Sequence, residues 1–116
     1  MVDKNLWKEY IKERLGQELT ETDKGFITWH IESFGDDKVL SLNDIYVSPE
    51  YRDSVAAMEL YNLAKAQGEV NNCKYIVAYV EANLPEARKR LLAYLVKLDL
   101  NILKAENNNI VLYKEL

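Results

Sequence analysis

Residues 45–57, Ile-Tyr-Val-Ser-Pro-Glu-Tyr-Arg-Asp-Ser-Val-Ala-Ala, read as a buried strand, a proline-marked turn, an arginine and the start of a helix. That order can bind an anion. The first turn of a helix has backbone N–H groups with no intrahelical acceptor, and they point at whatever lies ahead of the helix. Arg52 adds a guanidinium that can hold a phosphate, or pair with Glu50 or Asp53 at the surface. The glycine that would let an anion approach most closely is missing. Val55 and Asp53 stand in the turn instead, one β-branched and one negatively charged.

The other polar residues exclude more than they offer. Cys73 is the only cysteine, so no internal disulfide can form, and a reducing, cytoplasmic compartment is expected. It precedes an apolar strand and reads as a small buried residue rather than a nucleophile. His30 is the only histidine and has no cysteine cluster around it, so no zinc site is expected. The net charge of −4 argues against non-specific nucleic-acid binding. Arg88-Lys89-Arg90 reads as a solvated helix face. No apolar run is long enough to span a membrane, and the N-terminus lacks the apolar core of a signal peptide. With 116 residues, 48% hydrophobic and 29% charged, the chain reads as one folded domain over residues 1–116.

The elements that must position these residues follow from periodicity. Leu6, Trp7, Tyr10, Ile11 and Leu15 recur at helical spacing, with Gly16 as a stop. Residues 26–34 alternate, with Ile27, Trp29 and Ile31 on one face and Thr28, His30 and Glu32 on the other. A turn at Gly35-Asp36-Asp37-Lys38 leads into a second strand over 39–47, predicting an antiparallel hairpin. Residues 54–67 form a helix with Ala56, Ala57, Leu60, Tyr61 and Ala64 on one face, capped by Asp53 or Ser54. Tyr75 through Val80 is continuously apolar, the mark of a strand buried on both sides with a parallel neighbour. Asn83 is placed to cap a third helix, with Pro85 in its first turn and an apolar stripe from Leu84 to Leu98. Two short strands around Asn107-Asn108-Asn109 end the chain. The strand-helix-strand centre predicts a crossover between parallel strands.

With these elements in order, the chain resembles the GCN5-related N-acetyltransferases (GNAT) as a small, degenerate member. Asp44-Ile45-Tyr46-Val47-Ser48-Pro49-Glu50-Tyr51-Arg52 looks like the family's fourth strand and the turn into its cofactor helix. Cys73-Lys74-Tyr75-Ile76 is similar to the start of the next strand. Tyr94-Leu95-Val96-Lys97-Leu98-Asp99-Leu100 looks like the family's Phe-Tyr-x-Lys-x-Gly-Phe, and Ile110-Val111-Leu112-Tyr113 fits the last strand. The resemblance covers roughly residues 39–116. The first 38 residues match loosely, as one helix and one strand. It implies a mixed, mostly antiparallel sheet flanked by helices, acyl-CoA N-acyltransferase-like and trimmed at the N-terminal side.

The resemblance further implies acetyl-CoA as co-substrate. Backbone groups of Ile45, Tyr46 and Val47 would pair with the pantetheine arm. Arg52, Asp53, Ser54, Val55, Ala56 and Ala57 would carry the pyrophosphate turn, where Val55 replaces a glycine and Asp53 adds repulsion. Transfer of an acetyl group to an amine needs a base and then an acid. Asp44 is the best candidate base, or else an ordinary solvated carboxylate. His30 could assist from the next strand, or simply occupy an exposed strand face. The tyrosine that protonates the leaving thiolate maps onto Leu95. Tyr94, one residue away, is a shifted acid or a plain helix-flank aromatic. Asp99-Leu100 replaces Gly-Phe. Two readings result. One is an acetyltransferase acting on a small-molecule or protein amine by direct attack. The other is a non-catalytic module of the same fold, of the compact kind found in viruses and mobile elements, bound to a protein partner or to its own copies. Neither reading involves nucleic acid or membrane.

Overall fold

The computed structural model describes residues 4–52 and 54–116. Helix α1 (Lys4–Leu15) leads into strands β1 (Glu18–Glu21), β2 (Gly25–Phe34) and β3 (Asp37–Val47). A 3-10 turn (Pro49–Tyr51) connects to helix α2 (Ala56–Val70) and strand β4 (Tyr75–Glu81). Helix α3 (Ala87–Leu92) continues into a π turn (Ala93–Lys97), and strands β5 (Asn101–Glu106) and β6 (Asn109–Glu115) close the chain. The six strands form one sheet in the order β1-β2-β3-β4-β6-β5. β3 and β4 run parallel, and all other neighbours are antiparallel. This is the mixed, mostly antiparallel sheet with helices that the sequence predicts, including the crossover from β3 through α2 to β4.

The apolar stripe of α2 shows how the crossover is held. Ala56, Leu60, Ala64 and Gly68 recur every four residues, so they share one face, and all four are buried. The small members let the helix sit close to the sheet. A Cβ on Gly68 would lie 3.0 Å from Leu40 Cδ2. Beneath the stripe Ile27, Leu40, Leu42, Ile76, Ala78 and Leu112 form the centre of the core.

Tyr61, on the same helix, is 3% exposed. Its hydroxyl is the one buried side-chain polar atom without a hydrogen-bond partner among the described residues. Burial, with Asp99 and Glu69 adding negative charge, pushes its pKa up to about 12. A buried donor left unpaired carries a desolvation cost. Tyr61→Phe is therefore expected to raise the unfolding free energy by about 1 kcal/mol. A urea titration checks this, and a loss of stability would mean that the hydroxyl has a partner in solution.

Three expectations need correction. The first 38 residues hold a helix and two strands, not one. Glu18-Leu19-Thr20-Glu21 forms β1 against β2. Four residues with a charge at each end carry no usable period. The strand is held by its partner, including the Trp29 indole N–H donating to Thr20 Oγ1 at 3.0 Å. The third helix starts at Ala87, and Asn83 does not cap it. Glu86 precedes the helix without a side-chain cap, and the N–H groups of Leu84 and Ala87 make turns to Glu81 and Leu84. Proline disfavours helical backbone in the residue before it, and the helix begins two residues after Pro85. Finally, β4 is buried on one face only: Ile76, Ala78 and Val80 are buried, while Tyr79 on the other face is 48% exposed. Helix α1 forms as expected, with its apolar face open to solvent. Leu6, Trp7, Tyr10 and Leu15 are each more than half exposed, while Lys8–Glu21 and Lys12–Glu18 ion pairs tie the helix to β1.

Candidate functional site

β3 and β4 pair only from Val39 to Leu42, opposite Tyr75 to Ala78. The next residue, Asn43, is the extra one in a bulge. The β2–β3 register slips between Thr28 and Trp29, which face Asp44 and Leu42. A bulge bends and twists its strand and often ends pairing on the far side. Beyond it, residues 44–47 stay with β2 down to Gly25, and residues 79–81 stay with β6. The two strands thus part at the bulge.

Two cavities flank this opening. The smaller, of about 250 Å³, lies between Leu42 and Asn43 of β3 and Tyr79, Val80 and Glu81 of β4, and is closed by Leu84, Ala87, Arg90 and Asn109. The larger, of about 520 Å³, runs along Ile45, Tyr46 and Val47 and over Tyr51, Arg52, Ser54 and Ala57. Its far wall is one face of the α3 region: Glu86, Lys89, Arg90, Ala93, Tyr94, Lys97 and Leu98. Arg90 lines both.

Charge is concentrated here. Among the described residues Arg52, Lys89, Arg90 and Lys97 line the larger cavity and Glu86 is the one carboxylate there, in a chain whose net charge is −4. Lys89 and Arg90 are exposed, as a solvated helix face requires, and also line this cavity. Sequence reasoning left Lys89 and Lys97 out of the site, although a signal was present. Lys89, Ala93 and Lys97 are spaced by four, which puts two cations on one face with a small residue between them.

Of the anticipated binding residues, Ile45, Tyr46, Val47, Arg52, Ser54 and Ala57 line the larger cavity. Asp53 lies outside the described residues. Val55 and Ala56 do not line it: Val55 is 65% exposed and Ala56 is 2% exposed. The valine side chain is turned to solvent and does not line the cavity. The Ala56 amide is used locally, donating to Ser54 Oγ at 3.2 Å, while the Ser54 hydroxyl donates to the Tyr51 carbonyl. Arg52 donates from Nε to the Val47 carbonyl at 3.0 Å and lies over the Tyr46 ring, 5.6 Å from its centroid. Phe26 stacks on Tyr46 at 5.6 Å. Among the described residues no carboxylate pairs with Arg52, so Glu50 is not its partner. A guanidinium has further N–H groups beyond Nε.

Asp44 and Tyr94 meet at Arg90. The Asp44 carboxylate accepts from the Arg90 guanidinium at 3.3 Å in a half-exposed ion pair, and it lines neither cavity. Tyr94 is 6% exposed and lines the larger cavity. Burial pushes its phenol above the ordinary value; Arg90 pulls the other way and Asp44 adds to the rise. Tyr94 sits in the π turn. The Leu98 N–H donates to the Ala93 carbonyl, an i→i+5 bond, and such a turn holds one more residue than an α-helical one. The segment then ends with Asp99 at φ 57° and the Leu100 N–H on the Tyr94 carbonyl at 2.9 Å. Asp99 takes the left-handed conformation that glycine adopts most cheaply at a helix end.

His30 is not merely on an open strand face. Its Nδ1 lies 2.8 Å from Asn43 Oδ1 and its Nε2 lies 2.5 Å from Glu32 Oε1. Burial lowers its pKa, but the bonds to Asn43 and Glu32 and the Glu32 charge outweigh this and raise it above 6.5. Cys73 is buried, 6% exposed, and burial raises its thiol pKa against the opposing pull of Lys38. Among the described residues no three His, Cys, Asp or Glu are grouped to hold a metal ion, and no helix is long and apolar enough to cross a membrane.

No protein-family model and no curated protein matches the sequence. Solved structures do match. A GNAT-family acetyltransferase from Elizabethkingia anophelis with acetyl-CoA bound is similar at 15% identity, over 98% of this chain and 84% of that one, with a TM-score of 0.68. The PaiA N-acetyltransferase from Thermoplasma acidophilum, in complex with coenzyme A, matches at 13% identity over 100% and 81%, with a TM-score of 0.67. A Desulfovibrio desulfuricans structure assigned to the GNAT family matches at 16% identity over 96% and 79%, with a TM-score of 0.69. Likeness at this identity speaks for the backbone: the chain has the fold of the GCN5-related N-acetyltransferases.

Proposed function

We propose that this protein is an acetyl-CoA-dependent N-acetyltransferase that acts on an amine by direct attack. One observation carries the proposal: a long cavity beside the parted half of β3, edged by four cations on an acidic chain. The structural neighbours with acetyl-CoA or coenzyme A bound support it. The residues present suit such a ligand. Arg52, Lys89 and Lys97 match the phosphates, and the first turn of α2 at Ala57 adds an amide with no intrahelical acceptor. Ile45, Tyr46 and Val47 supply backbone along the apolar wall for the pantetheine arm.

When bound, acetyl-CoA supplies a thioester carbonyl open to attack by an amine. The chain's own groups handle the protons. Asp44 lines neither cavity and is paired with Arg90, so it acts through a water, which takes the proton from the incoming ammonium. Tyr94, kept neutral by burial, gives its proton to the departing sulfur. The amine enters through the smaller cavity, where Glu81 offers a carboxylate to an ammonium group.

Calorimetry with acetyl-CoA tests the reading. Saturable heat and a thermal upshift are expected. The absence of both at millimolar ligand would sink it and leave the non-catalytic module. That second reading is favoured by the exposed Leu6, Trp7 and Tyr10 of α1, a face suited to a protein partner.

A further inference from the structure

Glu32, His30 and Asn43 form a hydrogen-bonded chain that ends in the smaller cavity. Both ring nitrogens face oxygens. A carboxylate and an amide oxygen can only accept, so this arrangement is the one the imidazole makes when both of its nitrogens carry a proton. Asn43 is the bulge residue. With its Oδ1 turned back to His30, its NH₂ group forms the other branch of the carboxamide and has no protein partner among the described residues. We infer that His30 is a positioning residue for the smaller cavity: clamped by Glu32, it fixes the Asn43 carboxamide so that its N–H groups donate to an oxygen of the acceptor molecule. This rests on the reading of that cavity as the amine's entrance.

The chemistry defines the acceptor class. Glu81 provides a carboxylate for an ammonium group, and Asn43 provides a donor for a neighbouring oxygen. The cavity selects an amine that carries a carbonyl close to its nitrogen over a plain alkylamine. It also makes the selection depend on pH. Once the pH rises past the raised value of His30, Nδ1 loses its proton and no longer donates. Asn43 can then turn its NH₂ to the ring and present its oxygen, which repels a carbonyl. The groups around His30 are Glu32 on its own strand and the uncharged Ser41 and Asn43 on β3. Asp44, the next charge along β3, is paired with Arg90. Glu18, the nearest on β1, stands opposite Trp29 and pairs with Lys12.

Side-chain NMR of the full chain tests the inference, with glycinamide and ethylamine as probes. The Asn43 NH₂ signals should shift with pH at the same midpoint as the His30 ring. Glu32→Gln should lower that midpoint, and His30→Gln should abolish the pH dependence. Below the midpoint glycinamide should perturb the Asn43 signals and ethylamine should not, with glycinamide bound about tenfold more tightly. That preference should vanish above the midpoint. Asn43 signals that ignore the His30 titration, or respond alike to both amines, would overturn the inference. Failure of acetyl-CoA to bind would instead remove the transferase reading and leave the His30–Asn43 coupling standing.

Discussion

A Gly25→Ala variant is expected to lose about 3 kcal/mol or more of stability and to bind acetyl-CoA poorly. Gly25 pairs with Val47 at the end of β2. A Cβ there would lie 2.0 Å from the Tyr46 carbonyl oxygen and 2.9 Å from the Val47 Cα. These are backbone atoms, so no side-chain rotation can relieve the clash. The strands must separate, and the end that separates carries Ile45, Tyr46 and Val47, the wall of the larger cavity. Gly16→Ala is a useful contrast. Its Cβ would meet nothing within 4 Å, but its φ of +65° strains any other residue, so a loss of about 1 kcal/mol with unchanged binding is expected. Chemical denaturation and calorimetry on both variants distinguish the two effects. A Gly25→Ala protein as stable as the parent would mean that β2 and β3 do not approach this closely.

The second large effect is electrostatic. Reversing Lys89 and Lys97 together to glutamate is expected to weaken acetyl-CoA binding by about a hundredfold. Both line the larger cavity, and neither belongs to an ion pair among the described residues, so the fold should survive. Arg88→Glu is the control. Arg88 lines neither cavity, and its reversal should cost about threefold or less, through long-range attraction that salt screens. Calorimetry at two ionic strengths gives the comparison. Equal losses in both variants would attribute the effect to net charge, not to the placement of the two lysines.

Much of the scaffold was legible. The unbroken apolar run from Tyr75 to Val80 marked a strand with a parallel neighbour, and it lies inside the sheet between β3 and β6, although only the face of Ile76, Ala78 and Val80 is buried. The alternation of residues 26–34 gave β2, and the spacing of Ala56, Leu60, Tyr61 and Ala64 gave the buried face of α2, which runs on past the expected end at residue 67 to Val70. Asn107-Asn108 announced the last hairpin, and both take positive φ, 49° and 65°. β1 left no such trace, because four residues held by a neighbour need no pattern of their own. The start of α3 was misplaced because Asn83 and Pro85 form a familiar pair of start signals, and the chain spends them on turns instead.

What the sequence determined by itself was the order of elements from β2 onward and a strand-to-helix turn whose first amides lack acceptors. Both depend on local facts: which residues are apolar, at what period, and where N–H groups lack acceptors. That the strand before the turn, residues 44–47, is only partly buried was not legible. The site was decided by tertiary structure. The bulge at Asn43 requires β2 as a partner before one residue can count as extra. The turning of Val55 to solvent depends on how α2 docks. The π turn that carries Tyr94 lies in a helix whose sequence reads as regular. Lys89 and Lys97 come to line one cavity with Arg52 only when α3 and its π turn lie across from it, separated from it by more than thirty residues of chain. Chemistry between residues so far apart has no period to read, because it is set by which faces the core leaves exposed to each other.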